Sequence, residues 1–374
     1  MQNVHWLGTG LSSIPGIRRM AEILENFTVW NRTLIKAEKS IDHVNKRNVQ
    51  AKLFDLENIK KSIKPGDIII SQLPANMHID IAKICLENNC HFASTSYLSS
   101  DMLQLDKYVK EKKLVFINEV GLDPGIDHFF SHLLVKDLKN ENFENISVNY
   151  ESYCGGFPSV PNDFRYKFSW SPVGVIKALN NNASFILNSE IQTVIPYKYI
   201  NNYKINNENY EAYPNRDSTP YIKEYNFEKK WKVDKFVRGT LRLDGWKTAW
   251  KEIFDLLDTK AQNLDEKILK KSEELWSKNK YKDEEEDRVV LYVNLSAKKD
   301  SKEIFNKSYF LDERGKGENT AMGKLVSLTL SASVDLIIKN KLQYGIIAAP
   351  NEPELIDYYF NILYENKINI KNNI

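Results

Sequence analysis

Cysteine is scarce in this chain: Cys85, Cys90 and Cys154 are the only three among 374 residues. An odd count without repeated spacing excludes a disulfide framework and a cysteine-built zinc module. Charge of one sign is lacking as well. Lys and Arg number 52 against 50 Asp and Glu, a formal net charge of +2. That field is too weak to imply nucleic acid or an anionic membrane as a partner. No apolar run approaches the roughly 20 residues needed to span a bilayer. Met1-Gln2-Asn3 has no basic charge and Val4 to Leu7 is too short for a signal sequence core, so a cytoplasmic protein is expected. What is present is ordinary for a globular protein: 42% hydrophobic and 27% charged residues, with a length that suits two domains.

The first 120 or so residues alternate between strand-like and helix-like segments. Val4-His5-Trp6-Leu7 is a short β-prone run ending at a glycine turn. Pro15 suits the first turn of a helix, and Ile14, Ile17, Met20, Ala21 and Leu24 follow at helical spacing. Phe27 to Trp30 predicts a second strand, Ala51 to Phe54 a third and Asp67 to Ser71 a fourth. His91 to Ser94 and Leu114 to Ile117 predict a fifth and sixth. Helices are predicted between them, from Thr33 through Ala37 and over Leu56–Ile63, Asn76–Leu86 and Asp101–Lys112. Such a series means βαβ units, hence an α/β fold with a Rossmann-type, doubly wound parallel sheet. Ligands of these sheets lie outside the carboxyl ends of the strands. The segments to inspect are therefore Gly8 to Ser13, Asn31-Arg32-Thr33, Ser71-Gln72-Leu73-Pro74, Ser94 to Tyr97 and Gly121 to Asp127.

Gly8-Thr9-Gly10-Leu11-Ser12-Ser13 matches the first two glycines of the G-x-G-x-x-G dinucleotide fingerprint, with Ser13 in the third place. The first glycine allows the tight turn and the second lets the backbone approach a pyrophosphate, which the helix N-terminus then favours. At the end of the second strand an NAD enzyme usually places an acid for the ribose 2′-hydroxyl. Here the chain has Asn31-Arg32-Thr33. An arginine and a hydroxyl suit a 2′-phosphate, so NADP(H) is the expected cofactor.

Other candidates carry less. His128 and His132 are four apart on a predicted helix, but no acid of the H-E-x-x-H kind lies between them, so an ordinary helix-face pair and no metal are expected. Cys85 and Cys90 suit core thiols. Cys154 follows a strand-like run from Ile146 to Tyr150 and precedes Gly155-Gly156, whose bare backbone a ligand could approach; core thiol and site thiol both stay open. Asp283 to Asp287 reads as a solvated linker, and Trp246–Leu257 and Leu264–Trp276 as amphipathic packing helices.

Gly121-Leu122-Asp123-Pro124-Gly125-Ile126-Asp127-His128 resembles the saccharopine reductase family, the NADP-dependent, L-glutamate-forming saccharopine dehydrogenases. Ser152 to Gly156, Tyr166 to Ser171, Tyr213 to Ser218, Arg238 to Arg242 and Thr320 to Val326 resemble the same family, in the same order along about residues 1 to 350. The resemblance implies interconversion of saccharopine with L-glutamate and 2-aminoadipate 6-semialdehyde. It further implies that Ser96, Tyr97, Asp123, Cys154, Arg216 and Thr240 contact substrate, with Cys154, Asp123 and Tyr97 as candidates for proton transfer. Gly8, Thr9, Gly10, Leu11, Asn31, Arg32, Thr33, Ser71, Leu73, Pro74, Leu122 and Pro172 would line the cofactor. Arg216 and Arg242 could each grip a substrate carboxylate.

The chain also departs from the family's pattern. The helical part after Trp246 is short, about 246–287, and Pro172-Val173 stands where Ser-Arg is more typical. The expected domains are a cofactor domain over 1–121, with 321–374 packing back on it, and an α+β substrate domain with a mixed or antiparallel sheet over 122–320. A homodimer is one assembly this reading allows. Two rivals are weighed against it: an NADP-dependent reductase of other imines, such as a carboxynorspermidine dehydrogenase, and a non-catalytic NADP-binding regulator. The joint presence of Tyr97, Asp123, Cys154, Arg216 and Thr240 argues against the regulator.

Overall fold

The computed structural model describes residues 2–259 and 263–373. Backbone contacts divide the chain into two units, one running to Phe129 and including Met322–Ile368, the other comprising Phe130–Ala321 and the segment after Ile368. The first unit opens with β1 (Val4–Leu7), β2 (Phe27–Asn31), β3 (Val49–Leu53), β4 (Ile68–Ser71), β5 (His91–Ser94) and β6 (Val115–Ile117). The second contains β7 (Ser147–Pro158), β8 (Ala183–Leu187), β9 (Glu190–Val194), β10 (Asn201–Ile205) and β11 (Glu208–Pro214). It continues through β12 (Lys232–Leu243), β13 (Glu286–Lys299) and β14 (Lys302–Lys316). The chain then adds β15 (Gly345–Ile347) to the first unit and β16 (Ile370–Asn372) to the second.

The first sheet has the order β15-β6-β5-β4-β1-β2-β3 and every neighbouring pair is parallel. Every residue of β1 and β4 is buried, as continuous apolar strands covered on both faces must be. Leu7, Trp30, Ile69, Phe92 and Phe116 form one core with Ile81, Cys85 and Val109 from the covering helices. Each such side chain contributes on the order of 2 kcal/mol by leaving water. Winding reverses between β1 and β4, and a doubly wound sheet opens its ligand crevice at that point.

Local readings needed correction where distant partners intervene. The helix expected over Asn76–Leu86 begins with a 3-10 turn, Ala75–Met77, before running His78–Glu87. The one expected over Asp101–Lys112 is two short helices, Ser100–Leu103 and Asp106–Glu111. Asp106 opens the second, and its carboxylate accepts the Ile346 N–H at 2.9 Å, tying β15 to that helix. That seventh strand is contributed by the C-terminal region.

The second sheet is mixed, in the order β10-β11-β12-β7-β13-β14-β16, with β8 on β12 and β9 on β8. Among the described residues its one parallel strand pair is β12–β7. β7 runs 12 residues, so Cys154, Gly155 and Gly156 lie inside a strand and not after one. A Cβ on Gly155 would stand 2.5 Å from the Leu241 carbonyl oxygen, so close strand packing calls for a glycine there. The helix expected over Trp246–Leu257 breaks at Trp250 into Trp246–Ala249 and Lys251–Asp258, where the buried indole donates to the Phe164 carbonyl at 3.1 Å. The acidic run is only partly a linker. Glu286 and Asp287 open β13, and buried Asp287 accepts the Ala321 N–H at 2.6 Å. Helix Ala321–Ile338 is long and apolar enough to cross a membrane, but 78% of it is buried in the fold.

Candidate functional site

At the carboxyl edge of the first sheet, the loops after β1 and β4 lie side by side. Gly8 has φ +98°, and a Cβ there would sit 2.7 Å from the Gln72 carbonyl oxygen, so only glycine fits. Its N–H donates to the Trp30 carbonyl at 2.8 Å. A Cβ on Gly10 would meet only Ser13 Oγ, 4.0 Å away, which leaves room before the backbone. Thr9 Oγ1 and Ser13 Oγ are buried without a hydrogen-bond partner among the described residues. Buried hydroxyls are nearly always paired. Two unsatisfied ones beside a glycine turn and the N-terminus of helix Ile14–Ile23 fit a cofactor's pyrophosphate. Leu11 stands above the turn, 54% exposed.

After β2, Asn31 Nδ2 donates to the Thr33 carbonyl at 3.2 Å and stiffens the turn. Arg32 and Thr33 are exposed. No carboxylate among the described residues pairs with Arg32, so its guanidinium is available for a phosphate. Ser71, Leu73 and Pro74 follow β4; Ser71 is fully buried.

Ser96 and Tyr97 follow β5, and Leu122 and Asp123 follow β6. Tyr97 Oη donates to Asp123 Oδ1 at 2.9 Å, joining two residues expected at the substrate. Leu122 is buried at 4% exposure. Two residues here escaped the sequence reading. Glu119, buried with φ +58°, donates its N–H to the Ser96 carbonyl and accepts the Leu98 N–H at 2.8 Å. Its other oxygen lies 3.0 Å from His128 Nε2. His78, at the start of its helix, lies 2.8 Å from both Ser71 Oγ and Ser96 Oγ. The available signal for His78 was a polar residue where the chain leaves a strand end and enters a helix. His132 meets Tyr225 edge to face, and among the described residues no group of three His, Cys, Asp or Glu is placed to hold a metal.

In the second unit, register aligns the substrate candidates. Thr240 on β12 pairs with Cys154 on β7 and with Tyr213 on β11, and Cys154 pairs with Leu291 on β13. Directly paired residues share a face, so Cys154 and Thr240 are neighbours. Arg238 and Arg242, two residues either side of Thr240, share that face. Both are buried. The Arg238 guanidinium covers the Tyr221 ring at 4.0 Å. That of Arg242 sits among Tyr166, Tyr213 and Trp246 at 4.9, 5.4 and 5.4 Å. Arg216 follows β11 in a left-handed conformation, φ +60°, and is exposed. The adjacent Asp217 accepts from both the N–H and the hydroxyl of Thr219. Pro172 opens helix Pro172–Asn180, capped by Ser171. The half-exposed Trp170 lies over Gly174, where a Cβ would come within 2.6 Å of its ring.

A Rossmann-type dinucleotide-binding unit joined to a mixed-sheet unit with an arginine-bearing face defines the class of this protein. Residues 4–117 match the saccharopine dehydrogenase NADP binding domain and residues 121–368 the saccharopine dehydrogenase C-terminal domain. The chain belongs to the saccharopine dehydrogenase family. It is 32% identical over 269 residues to saccharopine dehydrogenase [NADP(+), L-glutamate-forming] of Pyricularia oryzae, covering 68% of this chain and 57% of that protein. To the enzyme of the same name from Schizosaccharomyces pombe it is 31% identical over 260 residues, 66% of this chain and 56% of that protein. With the mitochondrial alpha-aminoadipic semialdehyde synthase of Rattus norvegicus it shares 31% over 267 residues, 65% of this chain and 27% of that protein. The matched region thus spans little more than half of the first two relatives and a quarter of the third. In fold, it superposes on apo saccharopine dehydrogenase (L-Glu forming) from Saccharomyces cerevisiae with a TM-score of 0.81 at 23% identity, covering 100% of both chains. Homospermidine synthase from Legionella pneumophila gives 0.66 at 12%, covering 100% of this chain and 91% of that one.

Proposed function

We propose that this chain interconverts saccharopine with L-glutamate and 2-aminoadipate 6-semialdehyde, using NADP(H). The observation that carries the substrate class is Arg242. The residue is 5% exposed, its Nε has no hydrogen-bond partner among the described residues, and its Nη1 donates to the Leu241 carbonyl at 3.0 Å. Leaving a buried charge without a counter-charge is costly. An anionic ligand relieves that cost, and saccharopine is a tricarboxylate. The unsatisfied hydroxyls of Thr9 and Ser13, with an Arg32 that no carboxylate pairs among the described residues, support the phosphates of NADP(H) in the same way.

The cofactor supplies hydride acceptance or donation at its nicotinamide ring. In the oxidative direction the ε-carbon of saccharopine loses hydride and the attached nitrogen loses a proton. Water then adds across the resulting C=N bond, and glutamate departs as the amine. Cys154, Tyr97 and Asp123 are the candidates to hold that proton. Tyr97 donating to Asp123 at 2.9 Å keeps the carboxylate oriented. The test is purified protein with saccharopine and NADP, following NADPH absorbance. Turnover is expected. Absence of turnover while NADPH still binds overturns the substrate assignment.

A further inference from the structure

Ser71 ends β4 on the cofactor side of the edge, and Ser96 follows β5 among the substrate candidates. One side chain joins them. His78 Nδ1 is 2.8 Å from Ser71 Oγ and His78 Nε2 is 2.8 Å from Ser96 Oγ. The ring is 7% exposed and packs edge-on against Phe92. Burial lowers its pKa to about 4, so at neutral pH the ring is uncharged and carries one N–H. A neutral imidazole donates from one nitrogen and accepts at the other. The two serines must therefore play opposite roles. Either Ser71 donates to Nδ1 and Ser96 accepts from Nε2–H, or the reverse.

We propose that His78 is a positioning residue held in the Nε2–H form by the Ser71 hydroxyl, so that the Ser96 proton is left to donate outward to a substrate carboxylate. The assignment of that ligand rests on the function proposed above. A carboxylate offers only acceptors, so a hydroxyl meeting it must have its proton free. In the opposite tautomer Ser96 would give its proton to Nε2 and present lone pairs to an anion. The backbone of the loop is already pinned by Glu119 at the Ser96 carbonyl and the Leu98 N–H. What remains for His78 to set is the direction of one hydroxyl. The same arrangement makes the polarity of Ser96 depend on Ser71, a residue of the cofactor-lining loop.

Two readouts test this. Long-range proton–nitrogen NMR of the imidazole should show the Nε2–H form in the unliganded wild type, and Ser71→Ala should admit the Nδ1–H form. In kinetics, His78→Leu should raise KM for saccharopine about tenfold, the loss of one hydrogen bond to a charged group, with kcat changed less than about threefold. His78→Gln, which can still donate toward Ser96, should recover most of that loss. Ser96→Ala should match His78→Leu, and the double variant should be no worse than either. A wild-type ring protonated at Nδ1 overturns the proposal, as does additivity of the two variants or a His78→Gln enzyme no better than His78→Leu. If the wild type fails to oxidise saccharopine, the functional reading falls, while the ring tautomer and its response to Ser71→Ala still decide the role of His78.

Discussion

At the scale of single residues, charge and hydrogen-bond roles lead to three predictions. Arg32 is exposed at the end of β2 without a carboxylate partner among the described residues, the position where a 2′-phosphate and a 2′-hydroxyl are told apart. Arg32→Asp should weaken NADPH binding about tenfold or more relative to NADH, since a charge-assisted pair is replaced by repulsion. Titration of both cofactors measures it, and an unchanged preference refutes the assignment. Cys154 neighbours Thr240 within the sheet, so Cys154→Ser should keep the fold and lower turnover moderately, with a changed pH–rate profile. A wild-type profile in that variant would remove the thiol from the proton path. The third concerns Asp67, at the opposite end of the sheet. Burial pushes its carboxyl upward, but His5 and the N–H groups of Asn3 and Lys64 outweigh burial and hold its pKa below the ordinary value. A depressed folded pKa contributes stability above the unfolded pKa of about 4, and that contribution is lost as pH falls through the folded value. Asp67→Asn should thus cost on the order of 2 kcal/mol at pH 7 and less at an acidic pH below the folded value. Thermal melts at the two pH values decide it; equal losses would contradict the linkage.

At the scale of elements, packing and propensity make opposite demands at Gly16. It lies in helix Ile14–Ile23, where Gly→Ala ordinarily stabilises by about 1 kcal/mol. Here its N–H donates to Ser327 Oγ at 2.8 Å, and an added Cβ would strike the Ser327 carbonyl oxygen and stand 2.7 Å from the Trp6 ring. Neither backbone can yield cheaply, so overpacking wins. Gly16→Ala should destabilise by about 1–3 kcal/mol, read from denaturant unfolding, and a stabilised variant would show that the helix pair tolerates separation. The close approach also accounts for Ser327 and Ser331 of helix Ala321–Ile338. Ser331 and Asp335 take the Arg19 guanidinium at 3.2 and 2.5 Å, one and two turns beyond Ser327.

At the scale of the molecule, the first unit is assembled from two distant stretches of chain. The sheet is completed by β15, and the first helix is seated on residues more than 300 positions later. A fragment of residues 1–121 lacks both. It should therefore fail to fold cooperatively, giving weak near-ultraviolet dichroism and little amide protection; a sharp unfolding transition in that fragment would contradict this. In the whole chain, NADPH at 100 times its dissociation constant should stabilise the unit by about 2.7 kcal/mol. Hydrogen exchange should then slow most at Gly8–Ser13, Asn31–Thr33 and Ser71–Pro74.

The strand-and-helix alternation and the dinucleotide turn were determined by sequence alone, because both are written in local terms. Periodicity marks strands such as Ile68–Ser71, and a glycine pair between strand and helix marks the cofactor loop. The switch-point rule then converts strand order into position. The substrate side was legible only by resemblance, since Cys154, Arg216 and Thr240 lie on different strands or loops with no shared local signal. Tertiary structure alone decided the rest: the length of β7, the seventh strand, the common face of Arg238, Thr240 and Arg242, and the bridge from Ser71 through His78 to Ser96. Each depends on register or contact between residues distant in the chain. Such pairings leave no period in a sequence, because their energy appears only when the sheet has brought the partners within a few ångströms.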